Sequence, residues 1–184
     1  MHICDAPYRK LRDLARAIYT LYEPYTMGCW SSEQVESAIA IAANDLGYTQ
    51  LTRHQSLVLH EFLSGKDVFV SLPTGSGKSL CYWVLPGAFN SLRKTSESIV
   101  LVVSPLIALM KDQVANLKAR GVEAVYVGER CDMDRVYEGR YPILYISPEA
   151  LLTDNKWRGI LASQVYQHNL MAVVVDEAHC IKKW

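Results

Sequence analysis

Between an apolar run at residues 68–72 and a helical pattern that opens at Lys78 lies the sequence Leu-Pro-Thr-Gly-Ser-Gly-Lys-Ser, residues 72–79. No other stretch of this chain restricts its fold so strongly. Gly75 and Gly77 let the backbone curl so that successive N–H groups turn toward one point. A helix that starts at once adds its positive N-terminal end there. The result is a cradle for phosphate oxygens. Thr74, Gly75, Ser76 and Gly77 form its backbone, Lys78 places a charge on the β- and γ-phosphates of a nucleotide such as ATP, and the Ser79 hydroxyl can ligate Mg²⁺. The strict form of this motif has glycine where this chain has Leu72.

The cradle needs strand–loop–helix order, and the rest of the chain repeats that order. Residues 68–72, Ile99–Val103, 123–127, Ile143–Ile146 and 171–175 are short runs rich in Val and Ile that read as buried strands. Helical patterns lie between several of them. Over residues 107–120, Ile107, Met110, Val114 and Leu117 share one face and Gly121 is the stop. Alternating strand and helix predict an α/β fold with a mainly parallel sheet covered on both faces.

Upstream, Ser31 and Gln34 fit a capping box. Val35, Ala38, Ile39, Ala42 and Leu46 mark one helix face ending at Gly47, and a second helix runs from about His54 to Ser64 before Gly65. Within residues 1–30, Leu11, Leu14, Ile18 and Leu21 recur at helical spacing. This helical N-terminal extension, of no assignable chemistry, precedes a domain over residues 31–184.

The run at 171–175 ends in Asp176-Glu177-Ala178-His179. An apolar strand ending in two carboxylates is the expected second half of a nucleotide-hydrolysing site. Asp176 would hold Mg²⁺, and Glu177 would orient and deprotonate the attacking water. His179, beside them, is a candidate to link nucleotide state to another event.

Bulk properties exclude more than they identify. Lys plus Arg and Asp plus Glu number 19 each, so a nucleic-acid site would have to be a local patch or a set of backbone donors. The five cysteines, at 4, 29, 81, 131 and 180, include no CxxC pair. Their number and spacing argue against a disulfide framework or a zinc site and suit reduced thiols in the cytosol or nucleus. Residues 1–30 carry Asp5, Asp13 and Glu23 and lack the apolar core of a secretory signal. The most apolar stretch, 99–110, is short and broken by Ser104 and Pro105, so no membrane partner is expected. The expected location is nuclear in a eukaryote and cytoplasmic otherwise.

Taken together, LPTGSGKSLCY at 72–82 and DEAHCIKKW at 176–184 resemble the first motor domain of the RecQ family of superfamily 2 DNA helicases. Helicases of this superfamily commonly depart from the strict phosphate-loop pattern at the position of Leu72. LGYTQLTRHQ at 46–55 is similar to the family's nucleotide-recognising motif. The resemblance implies that Tyr48 packs on adenine and Gln55 reads its edge; Thr52 stands where the family usually has Arg. SPLIALMKDQ, beginning at Ser104 and Pro105, and the Ser147-Pro-Glu turn resemble the family's DNA-backbone contacts. Phosphate contacts of that kind position a strand without reading its sequence. Both serines also suit ordinary helix capping. Trp184 would open the family's aromatic coupling loop, preceded here by Lys182 and Lys183 in place of the usual Gln-Trp pattern.

The resemblance therefore implies a RecA-like P-loop NTPase domain, incomplete, using ATP and Mg²⁺. Its implied partners are single-stranded or forked DNA and a second RecA-like domain in the full protein. That second domain supplies an arginine worth about 10³–10⁵ in rate, so this chain alone is expected to turn over little or no ATP. In such sheets the strand after the Asp-Glu strand lies between it and the phosphate-loop strand, which predicts a gap or a collapsed sheet here. Two other readings stay open: a DEAH-type RNA helicase, which shares the tetrapeptide, and a non-catalytic module that binds ATP or nucleic acid without turnover. A P-loop kinase fits less well, because such enzymes lack the Asp-Glu-Ala-His strand end and the Ser-Pro loops.

Overall fold

The computed structural model describes residues 30–128 and 131–178. The helix expected around Leu11–Leu21, His179 and Trp184 lie outside the described residues.

Helix α1 (Ser32–Asp45) begins as its sequence demands. The Ser31 side chain accepts from Gln34 N, Gln34 returns its carbonyl oxygen to Ser31 N, and Val35, Ala38, Ile39, Ala42 and Ala43 are buried. Gly47 follows with φ 83°. Helix α2 (Arg53–Leu63) starts one residue before its expected position, because Thr52 and Gln55 close a second capping box. Helices α3 (Lys78–Trp83) and α4 (Leu85–Arg93) then lead to strand β1 (Ile99–Val103), and helix α5 (Ile107–Ala119) to β2 (Ala124–Tyr126). Helix α6 (Met133–Tyr137) precedes β3 (Ile143–Ile146). Helices α7 (Pro148–Thr153), α8 (Lys156–Ala162) and α9 (Gln164–Asn169) precede β4 (Leu170–Val175).

The four strands form one sheet in the order β2-β3-β1-β4, and every pairing is parallel. β1 is buried along its whole length. Its alternate residues divide between two cores. Val100 and Val102 face a core with α1–α5 that contains Leu59, Phe89, Met110 and Leu117. Ile99, Leu101 and Val103 face a second core with Val136, Trp157, Ile160, Leu161 and Tyr166. The helices thus cover both faces, and the expected mainly parallel α/β architecture is the one observed.

The register decides where the ends of the strands lie. Val103 pairs with Ile146 on one side and Val175 on the other. Ser104, Ser147 and Asp176 therefore leave the sheet at one level along its C-terminal edge. Asp176 N donates to Val103 O at 2.9 Å and Ser104 N to Ile146 O at 3.0 Å, which carries the ladder one residue beyond the strands.

One expected strand is absent. Residues 68–72 make no ladder, and Phe69 is 71% exposed. An apolar run becomes a strand only by pairing, and β4 has β1 on one side and no described strand on the other. Among the described residues β4 ends the sheet, and the phosphate-loop segment does not pair with it. A free sheet edge is a place for association with other chains.

Two leucines of α2 test the packing. Leu59 is 0% exposed and Leu57 is 57% exposed. Leu59→Ala should cost about 2–5 kcal/mol in urea unfolding, and Leu57→Ala less than about 0.5 kcal/mol. Equal effects would contradict this burial.

Candidate nucleotide and nucleic-acid site

The phosphate loop has the backbone that its sequence demands. Gly75 and Gly77 have φ of 81° and 75°. Gly77 is the N-cap of α3 and offers no side chain to the first N–H groups of that helix, which stay available to an anion. Ser76 N and Oγ both donate to Pro73 O, which tightens the turn. The Lys78 ammonium donates to the carbonyls of Leu72, at 2.9 Å, and Pro73, at 3.0 Å, on the rim of the loop. Thr74, Gly75 and Gly77 are exposed, while Ser76, Lys78 and Ser79 are half-buried.

Gln55 braces this loop from α2. It is 5% exposed. Its Nε2 donates to Gly77 O at 3.1 Å, and its Oε1 accepts from Thr52 N at 2.9 Å. One side chain thus closes the cap of α2 and holds the glycine that opens α3. Of the amide's hydrogen-bonding groups, only the second Nε2–H and a lone pair are left for a base. Thr52, where the resembled family has Arg, is the N-cap of α2.

Tyr48 is half-buried, with the Arg120 guanidinium over its ring at 4.7 Å from the centroid. Arg120 also donates to Leu46 O at 2.7 Å. Sequence reasoning missed Arg120, because it ends a different helix and no spacing links it to Tyr48. Tyr48, Gln50, Leu51 and His60 line a cavity of about 210 Å³.

At the end of β4, both carboxylate oxygens of Asp176 accept bonds. Oδ1 accepts from Glu177 N at 2.9 Å and Oδ2 from the Tyr82 hydroxyl at 3.0 Å. Glu177 has φ 51°, a left-handed conformation that costs a residue with a Cβ about 1–3 kcal/mol and concentrates at functional sites. The donor set suits a hydrated Mg²⁺, which takes one or two carboxylates with phosphates and waters. Asp176 could supply the carboxylate and Ser79 the hydroxyl. Among the described residues no group of three or more His, Cys, Asp or Glu could form an all-protein cage. Burial pushes the Tyr82 and Tyr145 hydroxyls far above the ordinary phenol range. It raises the Cys81 thiol to about 11.

The matching family profile is that of the DEAD/DEAH box helicases, which covers residues 52–184. The chain belongs to that family. This helicase domain is 34% identical over 155 residues to the ATP-dependent DNA helicase RecQ of Haemophilus influenzae, covering 80% of this chain and 23% of that protein. It is 40% identical over 144 residues to the probable ATP-dependent DNA helicase RecS of Bacillus subtilis, covering 75% and 27%. It is 36% identical over 129 residues to the ATP-dependent helicase SGS1 of Saccharomyces cerevisiae, covering 66% and 9%. The chain spans about a quarter or less of the length of these curated relatives.

The domain's two Ser-Pro turns differ. Ser147 caps α7, with Pro148 at its first position and Ala150 N donating to the Ser147 hydroxyl at 3.2 Å. Ser104 caps nothing. Helix α5 has Leu106 as its N-cap and no side-chain cap. Ser104 is buried, and its Oγ has no partner among the described residues. Pro105 is half-buried, while Leu106 and Ile107 are exposed. Capping therefore accounts for Ser147 and leaves Ser104 unexplained.

Gly77→Ala should reduce binding of a fluorescent ATP analogue at least about tenfold, because a Cβ there meets Gln55 Nε2 at 2.6 Å on a backbone with positive φ. Unchanged affinity would mean that the loop binds no phosphate. A thiol raised to about 11 stays protonated at pH 8, so Cys81 in the folded chain should alkylate about 100-fold slower than an unshifted cysteine of ordinary exposure. Its rate should climb with pH toward that value. Rapid native alkylation followed by mass spectrometry would refute the burial.

Proposed function

We propose that this chain binds ATP with Mg²⁺ and serves as the nucleotide-hydrolysing half of a RecQ-type 3′-to-5′ DNA helicase, closing on its nucleotide with a second RecA-like domain. The observation that carries the reading is the 3.0 Å bond from Tyr82 to Asp176, residues 94 apart in the chain. It sets the Asp-Glu end of β4 against the helix that begins with Lys78 and Ser79. That contact supports a reading in which the phosphate cradle and the carboxylates serve one site at the C-terminal edge of a parallel sheet, where ligands of such folds bind.

The roles follow from position. The loop backbone and the start of α3 hold the phosphates. Lys78 leaves the carbonyls of Leu72 and Pro73 for the β- and γ-phosphates. Asp176 and Ser79 would hold the metal, whose charge would offset that developing on the phosphates. Glu177 takes the proton of the attacking water as its oxygen bonds to the γ-phosphorus and ADP leaves on the opposite side. Tyr48 and Gln55 face the base. DNA, single-stranded or forked, is met through its backbone by the strand-end turns at Ser104, Pro105 and Ser147 together with Trp184, and His179 links the two events. The names of the Haemophilus influenzae and Bacillus subtilis relatives as DNA helicases support DNA over RNA as the polymer.

The test is ATP binding and hydrolysis by the full chain, with and without single-stranded DNA. Binding without turnover is expected, since the second domain supplies the arginine. DNA-stimulated turnover would mean that another copy supplies it, and no ATP binding would defeat the reading. Lys78→Ala should abolish binding. Gln55→Ala should narrow the preference for ATP over GTP; an equal loss for both nucleotides would leave Gln55 as a brace for Gly77 alone.

A further inference from the structure

Asp176 is held from its own backbone neighbour and from one side chain outside its strand. That side chain, Tyr82, is buried, as are Tyr145 and Trp83 beside it. The Trp83 indole N–H donates to the Tyr145 hydroxyl oxygen at 3.0 Å. The indole can only donate, so the Tyr145 oxygen accepts and its own O–H must find another acceptor. The Tyr82 and Tyr145 rings meet edge to face with centroids 6.4 Å apart. Tyr82 in turn donates to Asp176 Oδ2.

Tyr82 thus stands between the two groups assigned to the metal, one turn along α3 from Ser79. Its O–H is buried, and Asp176 is its acceptor. The bond fixes the rotation of the carboxylate about its side chain, leaving one lone-pair direction of Oδ2 for the metal or its water shell. Partners of this kind orient metal ligands and typically govern metal affinity by about 10–100-fold.

We propose that Tyr82 is the positioning residue of the metal site: its hydroxyl holds the Asp176 carboxylate in ligating orientation, itself held by the Trp83–Tyr145 pair. This also ties the metal to β3, since Tyr145 lies two residues before Ser147 at the strand-end turn. The inference rests on the proposed Mg²⁺–nucleotide site.

The experiment is Mg²⁺ titration of fluorescent ATP-analogue binding by the full chain, with binding in EDTA and thermal melting measured alongside. Tyr82→Phe keeps the ring and its packing and removes one oxygen. The Mg²⁺ midpoint should rise about tenfold, with affinity in EDTA unchanged. Asp176→Asn should abolish most of the Mg²⁺ dependence, and Tyr82→Phe added to it should shift nothing further. A midpoint for Tyr82→Phe within twofold of the parent would overturn the inference. So would an equal loss in EDTA, or a further loss in the double variant, since either would mean that Tyr82 acts through packing. A parent chain without Mg²⁺-dependent binding would instead bring down the functional reading on which the inference rests.

Discussion

β1 fixes the level of everything in the site. Each of its five residues is fully buried, and it pairs in parallel with β3 and β4. Parallel strands run the same way, so residues that follow paired positions emerge at the same edge. Pairing of Val103 with both Ile146 and Val175 is therefore enough to align Ser104, Ser147 and Asp176. A slip of one residue would turn the apolar sets of β1 to the wrong cores and move Asp176 away from α3. The two cores guard the site indirectly, by making that slip costly.

The second organising contact joins the loop to the helices. Gln55 belongs to the N-cap of α2 and to the Gly77 carbonyl together. The same residue that starts one helix steadies the start of another, 22 positions away. Tyr82 does the corresponding work at the other end of the cradle, from α3 to β4. The loop is thus held on two sides by buried side chains while its glycines remain exposed. Such support keeps a left-handed backbone in place at little cost to access.

Much of this was legible beforehand because it is local. Ser31 with Gln34, Gly47, Gly65 and Gly121 mark helix ends through bonds and torsions within a few residues, and each falls where expected. Ile99–Val103 and Ile143–Ile146 match their apolar runs residue for residue. The run at 68–72 did not become a strand, because composition describes a tendency to pair and cannot provide the neighbour. Ser104 and Ser147 have the same Ser-Pro sequence, yet only Ser147 caps a helix. The difference lies in whether the chain turns at once or runs two residues further before coiling. Arg120 on Tyr48 and Tyr82 on Asp176 were invisible, since neither pair is close in sequence.

By itself, the sequence determined the chemistry on offer: a glycine loop with Lys78 and Ser79, two carboxylates after an apolar strand, and strands and helices in alternation. Those follow from torsional freedom, capping and periodicity, which act over a few residues. The tertiary structure alone decided which of these groups meet. Sheet order and register bring Asp176 to Tyr82 at the start of the cradle helix and leave 68–72 without a strand partner among the described residues. The physical reason is that a parallel sheet joins segments many residues apart, and only burial of both faces selects among the ways they could align.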